Sequence, residues 1–135
     1  MFKVTKEIHF CYGHRLMNYD GLCRHPHGHN GRAEFEIASD RLDDRGMVRD
    51  FTEIKEAMKD WIDREIDHRM LLRSDDPAVE VLRRLGEPVF VMDQNPTAEA
   101  IAKLLFEKAH SLGFPVSRVS VWETQTSFAS YSASS

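Results

Sequence analysis

Two alternating stretches frame an eight-residue run of metal-ligating side chains, "CRHPHGHN" at residues 23–30, and that frame constrains the fold more than any other feature. In "FKVTKEIHFCYGH", Val4, Ile8, Phe10 and Tyr12 share one parity while Lys3, Thr5, Glu7 and His9 share the other, the period of a half-buried strand. "HNGRAEFEIAS" repeats the pattern, with Ala33, Phe35 and Ile37 opposed to Arg32, Glu34 and Glu36. The intervening "NYDGLCRHPHG" is rich in turn residues, so the two strands are expected to pair antiparallel across it. His14 lies on the apolar parity, at the end of the first strand.

Downstream, Phe51, Ile54, Met58, Trp61 and Ile62 recur at helical spacing, which predicts an amphipathic helix from Phe51 to about Ile66. "SDDPAVEVLRRLGEPVFVMDQNP" reads as a connection with one short helical stretch. Thr97 is placed to cap a helix that carries Ile101, Leu104, Leu105 and Leu112 inward and ends at Gly113. "VSRVSVWE" and the weaker "SFASYS" read as two closing strands, with a Ser-rich end expected to fray. The order is β-β-α-α-β-β, an α+β chain whose antiparallel sheet packs on two helices.

Length and charge bound the function. The 135 residues are expected to form one domain, 1–135, with a core that needs no disulfide. A net charge of −4, spread along the chain, gives no basic stripe for nucleic acid. No apolar run approaches the roughly 18 residues of a membrane span, and "MFKVTKEIHF" lacks a signal peptide's apolar region, so a cytoplasmic location is expected. In that reducing compartment the two cysteines, Cys11 and Cys23, are expected to be free thiols.

Within the cluster, His27 and His29 are two apart at the mouth of a strand, so their side chains leave one face, as two ligands of a tetrahedral zinc site must. His14, brought alongside by strand pairing, offers a third imidazole. Three histidines leave a fourth position open, as in catalytic zinc sites; the alternatives are polar loop histidines or a closed structural site completed by Cys23. His25 shares the parity of His27, but Pro26 disturbs a regular strand there, which makes it the weaker ligand.

Asp67 and His68 lie at the end of the first helix, where the helix dipole and the adjacent carboxylate both favour a protonated ring; His68 is a candidate proton carrier, or the pair is simply a cap or surface ion pair. Glu99 stands in a first helical turn, where the dipole alone accounts for it. Glu123 ends an apolar strand after Trp122, where a pocketed carboxylate could accept two N–H bonds from a guanidine-like heterocycle. Arg15, Arg24 and Arg32 fall near the histidine segment and could supply a local positive field.

Taken in register, "CYGHRL", Cys23 in a C-x-x-x-H-G-H run, "DFTEIK", "IDH", "NPTAEAIA" and "VSVWET" resemble the 6-pyruvoyl-tetrahydropterin synthase and 6-carboxytetrahydropterin synthase family, over about residues 4–131. The spacing from Cys23 to His27 is similar to that of the queuosine-pathway type. The resemblance implies the tunnelling fold (T-fold), in which subunit sheets join into an oligomeric β-barrel and two trimers stack into a hexamer with active sites at subunit junctions. It implies Zn2+ on His14, His27 and His29, Cys23 as proton-abstracting base, Asp67 and His68 as a second proton-transfer pair, and Glu123 as anchor for the pterin ring.

The implied reaction converts 7,8-dihydroneopterin triphosphate to 6-carboxy-5,6,7,8-tetrahydropterin, acetaldehyde and triphosphate. A 6-pyruvoyl-type or aldolase-like paralogue would share nearly all of these residues, and a non-catalytic zinc-containing pterin-binding oligomer is the alternative of a different class. The chain departs from the family pattern at Gln125, where proline is common, at Tyr12-Gly13, where small alanines are usual, and at Gly31, where an aromatic is frequent.

Overall fold

The computed structural model describes residues 1–133; the chain end expected to fray, at Ser134 and Ser135, lies outside the described residues. Strand β1 (Phe2–His14) pairs antiparallel with β2 (His27–Ser39) along its whole length, from Phe2 opposite Ser39 to His14 opposite His27. Helix α1 (Phe51–Glu65) follows, begun by the Asp50 carboxylate, which accepts from the Thr52 N–H at 2.8 Å. Next come β3 (Arg69–Arg73), the short α2 (Ala78–Arg84), β4 (Val89–Met92) and α3 (Ala98–Ser111). Strands β5 (Val116–Trp122) and β6 (Phe128–Tyr131) complete one six-stranded sheet of order β4-β3-β1-β2-β5-β6.

The β-β-α-α-β-β frame of the T-fold is present, with additions. The expected antiparallel sheet is mixed, because β3 pairs parallel with β1 and β4 parallel with β3. These strands occupy parts of the chain expected to be helix end and connection. "RMLLR" and "VFVM" are short apolar runs without alternation, which is how strands of a parallel pair read.

One face of the sheet carries the core. Phe10, Phe35, Ile37 and Val119 pack against Ile54, Met58 and Ile62 of α1 and Ile101 and Leu105 of α3, all buried. Each such side chain contributes about 1.5–3 kcal/mol by leaving water. Two residues placed inward by periodicity are not: Phe51, on the first turn of α1, is 48% exposed and Leu112, at the C-cap of α3, is 43% exposed. Both sit at helix ends, where the apolar stripe runs past the sheet. The other sheet face is polar: Trp122 Nε1–H donates to the Glu34 carboxylate, and the Arg118 guanidinium donates to Glu36. No helix among the described residues is long and apolar enough to cross a membrane.

Candidate functional site

The β1–β2 ladder ends in the pairs Tyr12 opposite His29, Gly13 opposite Gly28 and His14 opposite His27. Alternation then puts Tyr12, His14, His27 and His29 on one face, at the four corners of a square. The ring centroids of His14 lie 4.5 Å from His27 and 5.0 Å from His29. The three imidazoles offer nitrogens all within 4.8 Å of one another and could hold a metal ion.

Backbone carbonyls set the tautomers. His14 Nδ1–H donates to the Pro96 carbonyl at 2.6 Å, and His27 Nδ1–H donates to the His25 carbonyl at 2.7 Å. Each bond leaves Nε2 with a free lone pair, the form a metal ligand takes. His27 Nε2 is buried without a hydrogen-bond partner among the described residues, and His14 and His29 bring their Nε2 atoms to 3.1 Å of each other. Two nitrogens on one tetrahedral zinc ion would sit roughly 3.3 Å apart, so the donor set fits such an ion. Burial pulls the His14 and His29 rings below the ordinary histidine pKa, against the opposing pull of the Pro96 carbonyl on His14 and of Glu123 on His29. Both are therefore neutral donors at neutral pH.

The "NPT" sequence before α3 is what holds His14. The Asn95 side chain accepts from the Met17 N–H and donates to the Met17 carbonyl, each at 2.8 Å, and so ties the chain after β1 to the start of α3. Thr97 caps that helix, accepting from the Ala100 N–H at 3.1 Å, which fixes the Pro96 carbonyl over His14. Asn95 and the Pro96 carbonyl are functional groups that a search for ligating side chains passes over. The motif that could have revealed them is "NPT" itself.

Two cavities flank the cluster. One, of about 520 Å³, is lined by His14, Cys23, Glu99 and Glu123. The Glu123 carboxylate lies 4.0 Å from His29 Nε2. The other, of about 600 Å³, is lined by His27, His29, Cys11 and His68. Cys23 and the Asp67–His68 pair are thus not brought together within one chain; the cysteine that shares a cavity with His68 is Cys11.

Asp67 and His68 are hydrogen-bonded to β1 at Cys11. Asp67 Oδ1 accepts from the Cys11 N–H at 2.9 Å, and the His68 N–H donates to the Cys11 carbonyl at 2.7 Å. Burial raises the Asp67 pKa, but the Cys11 N–H and His68 outweigh it and hold the carboxyl below the ordinary aspartate range. Asp67 Oδ2 accepts from His68 Nδ1–H at 2.7 Å, while the His68 side chain is 77% exposed and its backbone sits at φ 59°. A non-glycine residue in the left-handed region is strained, and the strain presents the ring outward.

The three arginines near the histidine segment have different surroundings. Arg15 is committed to Asp76, Nε to Oδ2 at 2.7 Å and Nη2 to Oδ1. Arg32 points to the opposite sheet face, its guanidinium 4.5 Å above the Trp122 ring. Arg24 stays in the Cys23 segment, donating to the carbonyls of Asp20 and Gly21. Parity explains Arg32: the alternation that turns His27 and His29 to one face turns residue 32 to the other.

A sheet backed by helices on one face, with three imidazoles gathered at the end of its longest hairpin between two cavities, defines an α+β protein with a histidine cluster that could hold a metal. The sequence model described as 6-pyruvoyl tetrahydropterin synthase matches residues 3–134, and the chain belongs to that family. The 6-carboxy-5,6,7,8-tetrahydropterin synthase of Rickettsia felis is 37% identical over 135 residues, covering 95% of this chain and 98% of its own. A solved structure of an uncharacterized protein from Wolinella succinogenes superposes with a TM-score of 0.83 at 29% identity, covering 98% of both chains. The Caenorhabditis elegans 6-pyruvoyl tetrahydropterin synthase superposes with a TM-score of 0.75 at 24% identity, covering 98% of this chain and 96% of its own.

Proposed function

We propose that this chain, as one domain spanning residues 1–135, is a zinc-dependent lyase of the 6-carboxytetrahydropterin synthase type. It takes 7,8-dihydroneopterin triphosphate to 6-carboxy-5,6,7,8-tetrahydropterin, acetaldehyde and triphosphate, a step of queuosine biosynthesis in the cytoplasm. Relatives that carry the name 6-carboxy-5,6,7,8-tetrahydropterin synthase support this choice of product. The observation that carries the reading is that His14, Cys23 and Glu123 line one cavity.

In this reading His14, His27 and His29 hold zinc, and Pro96 and His25 keep their ring orientation through the Nδ1 bonds. When bound, the ion supplies Lewis acidity that polarises the substrate side chain and eases proton loss from it. Glu123 anchors the heterocycle by accepting two N–H bonds, which fixes the side chain of the substrate toward the histidines. Cys23 removes a proton from that side chain, and His68, steadied by Asp67, exchanges the second one. Because Cys23 and His68 line different cavities of one chain, a neighbouring copy is needed to bring an outward-facing His68 to Cys23. That requirement supports a homo-oligomer, with the hexamer of stacked trimers as the family arrangement.

Incubation of zinc-loaded protein with 7,8-dihydroneopterin triphosphate tests the proposal. Acetaldehyde and the 6-carboxy product are expected, and Cys23→Ala should keep zinc while losing turnover. A 6-pyruvoyl product without acetaldehyde would move the chain to the sister activity. Untouched substrate would overturn the enzyme reading.

A further inference from the structure

One corner of the histidine square is not an imidazole. Tyr12, opposite His29, shares the face of His14, His27 and His29, and its ring centroid lies 5.2 Å from that of His14 and 5.6 Å from that of His29. The ring leans across β2 at Gly31. A Cβ built on Gly31 would fall 2.9 Å from Tyr12 Cε1, 3.3 Å from Cδ1 and 3.2 Å from Phe10 Cζ. Any side chain there would collide with the tyrosine ring, so Gly31 is the space the ring occupies.

The lean has a direction. Arg32 pairs with Trp122 across β2 and β5, so the next position along each strand sets Gly31 beside Glu123. Val121 is buried on the core face, and Glu123, two residues on, continues that face. The Tyr12 ring therefore runs from β1 over Gly31 toward the strand end that carries Glu123.

The hydroxyl at the tip is buried, in a residue only 2% exposed, and has no hydrogen-bond partner among the described residues. Packing does not call for it. Phenylalanine would fill the same space over Gly31 without burying an unpaired O–H, which is costly to leave unmade. An unpartnered polar atom in a native core calls for a partner from outside the chain, a water or a bound ligand. The other buried and unpartnered atom of this square is His27 Nε2, which faces the position a metal would take.

We propose that Tyr12, which lines the cavity of His27 and His29, is a ligand-recognition residue of this site, its hydroxyl donating past His29 to the heterocycle that Glu123, 4.0 Å from His29 Nε2, anchors. The inference rests on the pterin reading above. A 2-amino-4-oxo pyrimidine edge presents an adjacent N–H pair to a carboxylate, and that pair is flanked on each side by an acceptor, a ring nitrogen or the carbonyl oxygen. A phenol beside the carboxylate supplies the donor that such a flanking acceptor needs.

The test is Tyr12→Phe, which removes one oxygen and keeps the ring over Gly31. Pterin-6-carboxylate, an unreactive fluorescent pterin, is titrated into zinc-loaded wild type and variant, with metal content and thermal midpoint measured on both. The variant is expected to keep its zinc and a midpoint no lower than wild type, yet to bind pterin about tenfold more weakly, with the loss falling on KM more than on kcat. Equal pterin affinity in the two proteins, or a loss explained by lost zinc, overturns the role of Tyr12 and leaves the pterin reading standing. Absence of pterin binding by wild type overturns both.

Discussion

The imidazole of His14 donates from Nδ1 to the carbonyl of Pro96 at 2.6 Å, across 82 residues of sequence. This bond joins the end of β1 to the start of α3, and the clamp between Asn95 and Met17 holds it in place. The geometry of the histidine cluster at the end of the hairpin therefore depends on a helix start far along the chain.

Asn95→Ala removes the clamp without touching any imidazole. Zinc affinity should fall about 10–100-fold, as when an outer partner of a ligand histidine is lost. Competition against a chromophoric chelator measures it. Unchanged affinity would show that Pro96 is held by the Thr97 cap alone.

Gly31 and Tyr12 should behave as a coupled pair. Gly31→Phe forces a side chain into the Tyr12 ring and should cost about 1–3 kcal/mol. Tyr12→Ala leaves a void and should cost about 3 kcal/mol. In the double variant the phenylalanine refills the void, and denaturant unfolding should reveal a favourable coupling of at least about 1 kcal/mol. Additive losses would contradict the packing described for these two residues.

The buried ion pair of Arg15 and Asp76 gives stability a pH dependence. Burial raises the Asp76 pKa, but the bonds from Arg15 and the Ala78 N–H outweigh it and leave the carboxyl below the ordinary aspartate value. A folded pKa depressed in this way contributes stability above the unfolded value, and that contribution is lost as pH falls through the folded one. Asp76→Asn should therefore cost about 2 kcal/mol at pH near 7, the Arg15 end of the pair being partly solvated. The difference from wild type should shrink below a pH of about 4. Urea midpoints at the two pH values check it; a constant difference would place the effect in packing.

His68 holds a strained backbone in order to face outward. His68→Gly relieves the positive φ and should stabilise the fold by about 1 kcal/mol while abolishing turnover. Thermal unfolding beside the acetaldehyde assay measures both. A destabilised glycine variant would mean that the Asp67 bond outweighs the strain.

Much of this arrangement is legible in the sequence because it rests on parity. The alternation through Phe10 and Tyr12 already turns His14 toward the core, and His27 and His29 follow from the pairing of two equally long strands. The same parity turns Arg32 to the far side, so its separation from the histidines is legible as well, though nearness in sequence suggests the opposite. Strands β3 and β4 are hidden because "RMLLR" and "VFVM" have no period to distinguish them from pieces of helix or loop. The Pro96 carbonyl is hidden because a backbone acceptor has no side-chain signature. The distance between Cys23 and His68 is hidden because sequence order says nothing of which cavity each one lines.

X-ray absorption spectroscopy of the zinc-loaded protein tests the central claim most directly. Three imidazole nitrogens and one light, non-protein donor at about 2.0–2.1 Å, lost in His14→Ala, are the expected first shell. A sulfur scatterer near 2.3 Å, or a shell filled by four protein ligands, would make the centre a closed structural one and contradict this account.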